Sequence, residues 1–526
     1  MSVDSFEDSL GASAAVAFGE AQADGVRRQV RGSTLLLAGQ FLSLGLAFVT
    51  QVVVVRYLSK TGYGAFAYAL SLVAIAQTAI TFGVNRSVAR VVPMFRERGD
   101  RASASDAIVV ALGVIFVLGV SLMLVVAGLH GLFLESLVAD RTARTVLLTL
   151  IVLAPIQAID DLLINLFAVF HRVRSIFFRT YVLAPALRLV AALVMIAIGG
   201  TARTLALGFV VAGVVGLLVY APILVRVLQA EGFRLRIPRH GQVMPFAPIL
   251  TIAAPLFAAD LAYVVMTSAD AVLLGHFRGA ADVASFKAVQ PAARLNEIVF
   301  GSFLVLFTPL AARLFARNDR AGLSDLYWQT AAWITVMSFP IFAVTFALAD
   351  PFVNLLFGSR YADSGLYLSI LSVGFYVQAA FGFNGTAIIV FGRVRYIVVL
   401  SVMAITTNLC FNLVLIPRYG ALGAAIGTAA SLALYNVFKQ VALQLATGIP
   451  MFDRSYLGVY LSVGAGVASL ALLQRGLSLG LLPSLAVVVL ASITILTVNR
   501  RRLRTAGTFP ELGRLPFVSR VFGGGQ

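Results

Sequence analysis

Apolar runs of about 20 residues recur along almost all of this chain, and nothing else in it narrows the possible folds so far. Each run is long enough to cross the roughly 30 Å hydrocarbon core of a bilayer as a helix. Fourteen are counted, the first over 33–55 and the last over 480–498. Backbone groups find no water inside hydrocarbon, so a spanning segment must satisfy its own hydrogen bonds. Long runs without strict polar alternation predict helices. A mean hydropathy of +0.94, with 60% hydrophobic and 12% charged residues, argues against a soluble domain. The expected fold is therefore an all-α integral membrane protein of about 14 transmembrane helices.

The formal charge of +17 invites a nucleic-acid reading, but its placement argues otherwise. With the N-terminus set in the cytoplasm, 26 of the 40 Lys and Arg residues fall in inner loops and tails and nine in outer loops. Such a bias is topological, and it predicts a multi-pass protein of the cytoplasmic membrane with both termini inside. No basic face on a soluble module is present, so nucleic acid is not an expected partner. Residues 1–26 carry five acids and no Lys or Arg, the reverse of a signal-peptide n-region. They read as a disordered cytoplasmic tail over 1–32. Cys410, the single cysteine, excludes an intramolecular disulfide and a cysteine metal cluster.

The chain also repeats itself. Phe170-His171-Arg172-Val173-Arg174-Ser175-Ile176 returns 221 residues later as Phe391-Gly392-Arg393-Val394-Arg395-Tyr396-Ile397, with five of seven positions identical. Gln157 and Gln378 keep the same offset. Six spans per repeat is an even number, so both copies start on the same side, a parallel repeat of the kind that encloses a substrate path. The expected organisation is an N-lobe over 33–228, an inter-lobe linker over 229–245 and a C-lobe over 246–446. Two extra helices follow over 447–499, then a basic cytoplasmic tail over 500–526. The two six-helix lobes are expected to surround a central cavity.

Several strings sharpen this picture. They are Leu355-Leu356-Phe357-Gly358-Ser359-Arg360-Tyr361-Ala362, the repeated Gly392-Arg393-Val394-Arg395 loop and Asp270-Ala271-Val272-Leu273-Leu274-Gly275. A fourth is Asn408 and Asn412 followed by Leu415-Ile416-Pro417-Arg418-Tyr419-Gly420. Together they resemble the polysaccharide transporters of the multidrug/oligosaccharidyl-lipid/polysaccharide exporter superfamily, the group that contains O-antigen flippases. The resemblance covers roughly residues 30–500 and rests on the order of loose motifs. It implies a transporter with a cationic cavity and not an enzyme.

Ionisable groups within the spans are the informative residues, because a charge at the bilayer centre costs about 2.5–3.5 kcal/mol on insertion scales. Lys287, Gln290, Arg294 and Glu297 share one helical stripe, as do Gln157, Asp160, Asp161 and Asn165. A third stripe holds Asp260, Tyr263, Thr267 and Asp270, and a fourth holds Tyr181 and Arg188. Arg188, Lys287 and Arg294 suit a phosphate or pyrophosphate head. Gln157, Gln378, Asp160 and Asp161 suit sugar hydroxyls. Asp260, Asp270 and Glu297 are candidates for proton or sodium coupling, or for internal ion pairs. Arg179 and Lys439 lie near predicted span ends and are expected to snorkel. Pro155, Pro185, Pro255, Pro291, Pro309 and Pro340 are read as kinks. His130, His171, His240 and His276 lack metal-ligand spacing.

These features predict a flippase that carries a polyprenyl-(pyro)phosphate-linked oligosaccharide across the membrane by alternating access. No cofactor is expected. The bilayer and a lipid-linked saccharide are its expected partners, with a glycan polymerase or glycosyltransferase as a further one. The last two spans are expected to offer a groove for the lipid tail. A lipid II flippase and a cation-coupled multidrug extruder are the alternatives. A polymerase or glycosyltransferase is disfavoured, because the longest outer loops are only about 15 residues, and there is no P-loop, G-x-S-x-G or H-E-x-x-H string.

Overall fold

Helix boundaries follow from local chemistry throughout the chain. The structure, a computed structural model, describes residues 36, 38–128, 140–233, 246–477 and 480–503. The expected tails over 1–32 and 504–526, residues 234–245 of the linker, His130 and His240 lie outside them. The helices are α1 Ala38–Tyr57, α2 Lys60–Glu97, α3 Arg101–Gly128, α4 Arg141–Val169, α5 Val173–Ala197 and α6 Ala202–Ala230. Next come α7 Phe246–Phe277 and α8, which runs as Ala280–Arg294, a 3-10 turn Leu295–Glu297 and Ile298–Ala316. After it come α9 Arg320–Ala347, α10 Ser364–Val390, α11 Val394–Tyr419, α12 Ala421–Thr447, α13 Leu457–Leu477 and α14 Leu481–Val498.

By length and composition, twelve of the described helices can cross a membrane. The expected fourteen differ at α8, which carries Asp282, Lys287, Arg294 and Glu297 in its first half, and at the shorter α14.

Polar side chains start several helices. Asp100 accepts the Ser103 N–H at 2.9 Å, satisfying one orphan donor of α3. The hydroxyl and N–H of Ser103 hold the Asp100 carboxyl below its usual range. Asp319 does the same for Gly322 at the start of α9, at 2.8 Å. Proline shapes helix interiors. Pro185 has no N–H to offer the Tyr181 carbonyl, and the turns before it, Phe177–Leu183, are wound as a π-helix. In α2 the helix breaks at Phe82 and Gly83, both with positive φ (43° and 70°). Gly83 there meets the Ala253 backbone of α7, where a Cβ would not fit. Phe82 stacks on Phe257 at 4.7 Å.

The repeated loop folds the same way twice. His171 and Gly392, equivalent by the repeat, both take left-handed backbone, with φ of 54° and 71°. Three loop hydrogen bonds recur at the same offset, including Arg172 N to Phe167 O at 2.9 Å and Arg393 N to Ile388 O at 3.1 Å. Gly199 and Gly420, again equivalent, also share positive φ (64° and 57°).

Contacts divide the chain into two units. One comprises residues up to Val53, Ala76–Ala127 and Thr149–Ala258; the other comprises Val54–Ile75, Gly128–Leu148 and the chain from Ala259 onward. The divisions fall inside helices, so the second unit includes the outset of α2. Its core centres on α9, where Tyr327, Trp328, Phe339 and Ala343 are fully buried. Against α9 pack α13 and α14. The Trp333 indole donates to the Leu503 carbonyl at 3.1 Å, and the Asn499 amide to Ser462 at 2.7 Å. Leu461, Leu472, Leu482 and Leu490 are exposed on these two helices, as a lipid-facing surface requires.

Candidate functional site

In the second unit the polar residues of α7, α8, α11 and α12 form one buried network. Asp270 of α7 is 1% exposed. Its carboxylate accepts the Asn412 amide, and Thr428 of α12 donates to its other oxygen at 3.1 Å. The same Asn412 nitrogen also donates to Asn408 at 3.1 Å, while the Asn412 carbonyl oxygen is buried with no hydrogen-bond partner among the described residues. Two motifs noted in the sequence thus meet at one carboxylate. Gly427 leaves space for this Asn412 oxygen, since a Cβ there would lie 2.6 Å from it.

On α8, Lys287 donates to the Thr267 carbonyl at 3.2 Å and to Gln290 at 2.9 Å. Two turns on, Arg294 lies over the Phe375 ring at 5.6 Å. Its Nε is buried and has no acceptor among the described residues. A cavity of about 40 Å³ opens beside these groups, lined by Asp270, Gln290, Arg294, Asn408, Thr428 and Tyr435 among others. That is room for a few waters or one small cation and too little for a sugar. Among the described residues no group of three or more His, Cys, Asp or Glu is placed to hold a metal.

Glu297 stays beside Arg294 on α8, half-buried. A 3-10 turn sets residues i and i+3 in line, so across Leu295–Glu297 the Glu297 side chain follows Arg294 on the same face. Buried Asn296 braces the turn by donating to Thr345 at 3.2 Å. Asp260 and Tyr263 sit further along α7, half-buried and exposed respectively. Gln378 accepts the Asn436 amide at 2.6 Å.

The first unit has its own charge pair. Asp160 of α4 binds Arg179 of α5 through contacts of 2.6 and 2.8 Å, and the side chains are 16% and 5% exposed. Arg179 occupies the π-helix and lies beside Gly216 of α6, where a Cβ would come within 2.8 Å of its guanidinium. Asp161 accepts the Gln77 amide at 2.7 Å, and its carbonyl accepts Asn165 at 2.8 Å. Gln157 is half-buried one turn earlier. Arg188, well inside α5, is exposed; within a membrane such a guanidinium faces water or an anion and not lipid.

Two expectations are corrected. Arg179 and Lys439 do not snorkel: both are 4% exposed. Arg179 is neutralised by Asp160, and the Lys439 ammonium sits 4.2 Å from the Tyr435 ring. Distance from the span ends misjudged them because what decides is the partner each finds, Asp160 on another helix for Arg179 and a ring one turn earlier on its own helix for Lys439. Sequence reasoning also missed Gln77 and Thr428, which are ordinary polar residues until the carboxylates they serve are in place.

Residues 29–315 match the family model described as polysaccharide biosynthesis protein. Capsular polysaccharide biosynthesis protein CapF of Staphylococcus aureus is 21% identical over 194 residues, 37% of this chain and 49% of its own. Stage V sporulation protein B of Bacillus subtilis is 25% identical over 134 residues, 26% of each chain. The chain thus spans about half the length, or less, of these curated relatives. Among solved structures, the inward closed conformation of the lipid II flippase MurJ superposes with a TM-score of 0.69 at 13% identity. That match covers 89% of this chain and 99% of the other. The inward-facing conformation of a multidrug resistance MATE family transporter of the MOP superfamily gives a TM-score of 0.63 at 16% identity, covering 77% and 96%. At these identities the likeness is one of fold.

Proposed function

The chain belongs to the polysaccharide biosynthesis protein family, and from that premise we propose that it is a flippase for a polyprenyl-(pyro)phosphate-linked oligosaccharide. The observation that carries the reading is Arg294, a half-buried guanidinium whose Nε is buried with no acceptor among the described residues. A buried donor left without a hydrogen bond is expensive, and a phosphate oxygen from a passing headgroup supplies the missing acceptor. Lys287, seven residues away on the same face, adds a second positive charge. Arg188 of the first unit is a separate candidate for an anionic group.

Asp270 has a different task in this reading. One carboxylate, the free carbonyl oxygen of Asn412 and the Thr428 hydroxyl are hard oxygen donors that suit sodium or a proton. A bound cation there supplies positive charge next to Lys287 and Arg294. The neighbouring cavity of about 40 Å³ is too small for a glycan and suits the cation alone.

The test is flipping of a lipid-linked oligosaccharide in proteoliposomes, with lipid II as the parallel arm. Arg294→Ala is expected to lower the rate at least tenfold at equal protein level. Full activity in the Lys287→Ala/Arg294→Ala double variant removes this cationic face from the mechanism. Activity on lipid II alone assigns the chain to the cell-wall precursor instead.

A further inference from the structure

One conspicuous string, Gly358-Ser359-Arg360-Tyr361, has no part in the site above, and the structure gives it a mechanical setting. A short helix, Ala349–Phe357, ends at Gly358 with φ 85°, and a 3-10 turn Ser359–Tyr361 leads into α10. From that turn Arg360 reaches the end of α1, donating to the carbonyls of Arg56 and of Leu58, the latter at 3.1 Å. Carbonyls in the last turn of a helix have no intrahelical donor, so the guanidinium acts as a remote C-terminal cap. Three residues later Asp363 pairs with Lys60 of α2 at 3.0 Å and accepts the Ser285 hydroxyl of α8 at 2.9 Å. The Tyr361 ring is fully buried and lies 5.6 Å from the Lys60 ammonium.

Backbone approach completes the junction. A Cβ on Gly64 of α2 would overlap the Ala280 carbonyl of α8 and come within 3.1 Å of the Ala284 nitrogen. Gly275 of α7 likewise has no room for a side chain beside Tyr68. All of these residues lie in the second unit, which is how an N-terminal segment, 54–75, comes to be part of it.

We propose that this junction is a latch that holds the α1–α2 turn against the starts of α8 and α10, and that it parts when the transporter changes conformation. Two features separate it from a permanent core. The Lys60 and Asp363 side chains are 27% and 44% exposed, so water can replace each partner cheaply. At Gly64 the α2–α8 contact is backbone on backbone, so that crossing can part without unlocking a side chain, while Tyr361 and Tyr68 set the cost of separation. The charge placement in the sequence assigns this end to the outside, which makes the latched state the one closed to the exterior. The inference rests on the flippase reading for its purpose but not for its measurement.

Spin labels at Thr61→Cys and Ser359→Cys, both exposed positions, in a Cys410→Ser background report the junction in the purified full chain. The parent is expected to give one short, narrow distance. Arg360→Ala and Lys60→Glu should each raise the longer-distance population at least tenfold. The exchanged pair Lys60→Asp/Asp363→Lys should bring it back to within about twofold of the parent. An unchanged distribution in both Arg360→Ala and Lys60→Glu overturns the latch. The labels are read without substrate, so absence of flipping by the parent chain in proteoliposomes would remove the transport reading and leave the latch result standing.

Discussion

Two ion pairs in this protein have nearly the same geometry and opposite energetics. Lys60 and Asp363 meet at 3.0 Å in partial solvent, where such pairs contribute about 0–1 kcal/mol. Asp160 and Arg179 meet at 2.6 Å with almost no exposure, so each charge depends on the other. Asp160→Ala is expected to cost about 3–5 kcal/mol, because it strands a buried guanidinium. The volume-matched apolar double variant Asp160→Leu/Arg179→Met should recover most of that loss. Thermal unfolding in detergent measures both, and a loss below about 1 kcal/mol in the single variant would show that Arg179 finds another partner. At Asp270 the expectation concerns function. Asp270→Asn keeps the shape and the Thr428 hydroxyl contact but removes the charge, so transport should lose its dependence on the cation gradient. Gradient-driven flipping at parent rate in Asp270→Asn would exclude this carboxylate from coupling.

Among the helices, glycines separate crossings that are tight from faces that are free. Gly374 of α10 faces Ala429 of α12, and an added Cβ would sit 2.6 Å from its Cα. Gly113 of α3 has nothing within 4 Å of the same virtual atom. Gly374→Ala should therefore destabilise by about 1–3 kcal/mol through overpacking. Gly113→Ala should stabilise by about 0.5–1 kcal/mol, because alanine loses less backbone entropy in a helix. Equal effects from the two, measured by thermal unfolding, would mean that the α10–α12 crossing relaxes freely. The helices themselves were legible in sequence because apolar length and flanking charge are local properties. Their irregularities were not all legible. Pro185 announced an irregularity in α5, whereas the contacts of Arg179 inside the seven-residue π-helix before it, with Asp160 of α4 and beside Gly216 of α6, did not show in the sequence.

Across the full chain, the pair α13–α14 is bound chiefly through α9, with Trp333 tied to the Leu503 carbonyl at 3.1 Å. Truncation after Thr447 bares the apolar face of α9, including the Trp333 ring. Loss of the monodisperse peak in fluorescence-detected size exclusion is expected; a stable truncated protein would show that the last two helices are dispensable for folding. The repeat of 221 residues was visible as five identities in seven, and it is kept in backbone detail, as the positive φ at His171 and Gly392 shows. The grouping of residues 54–75 with the second unit had no trace in the repeat, because it arises from Gly64 and Arg360 meeting partners far along the chain.

Membrane residence, helix number to within two and the internal repeat were all written in the order of residues, since each depends on near neighbours and on composition. Which charges are neutralised was not. Asp160 and Arg179 are 19 positions apart, and Asp270 and Asn412 are 142 apart. A pairing of that kind exists only once packed helices bring two side chains within hydrogen-bond distance in a medium that penalises every unpaired charge.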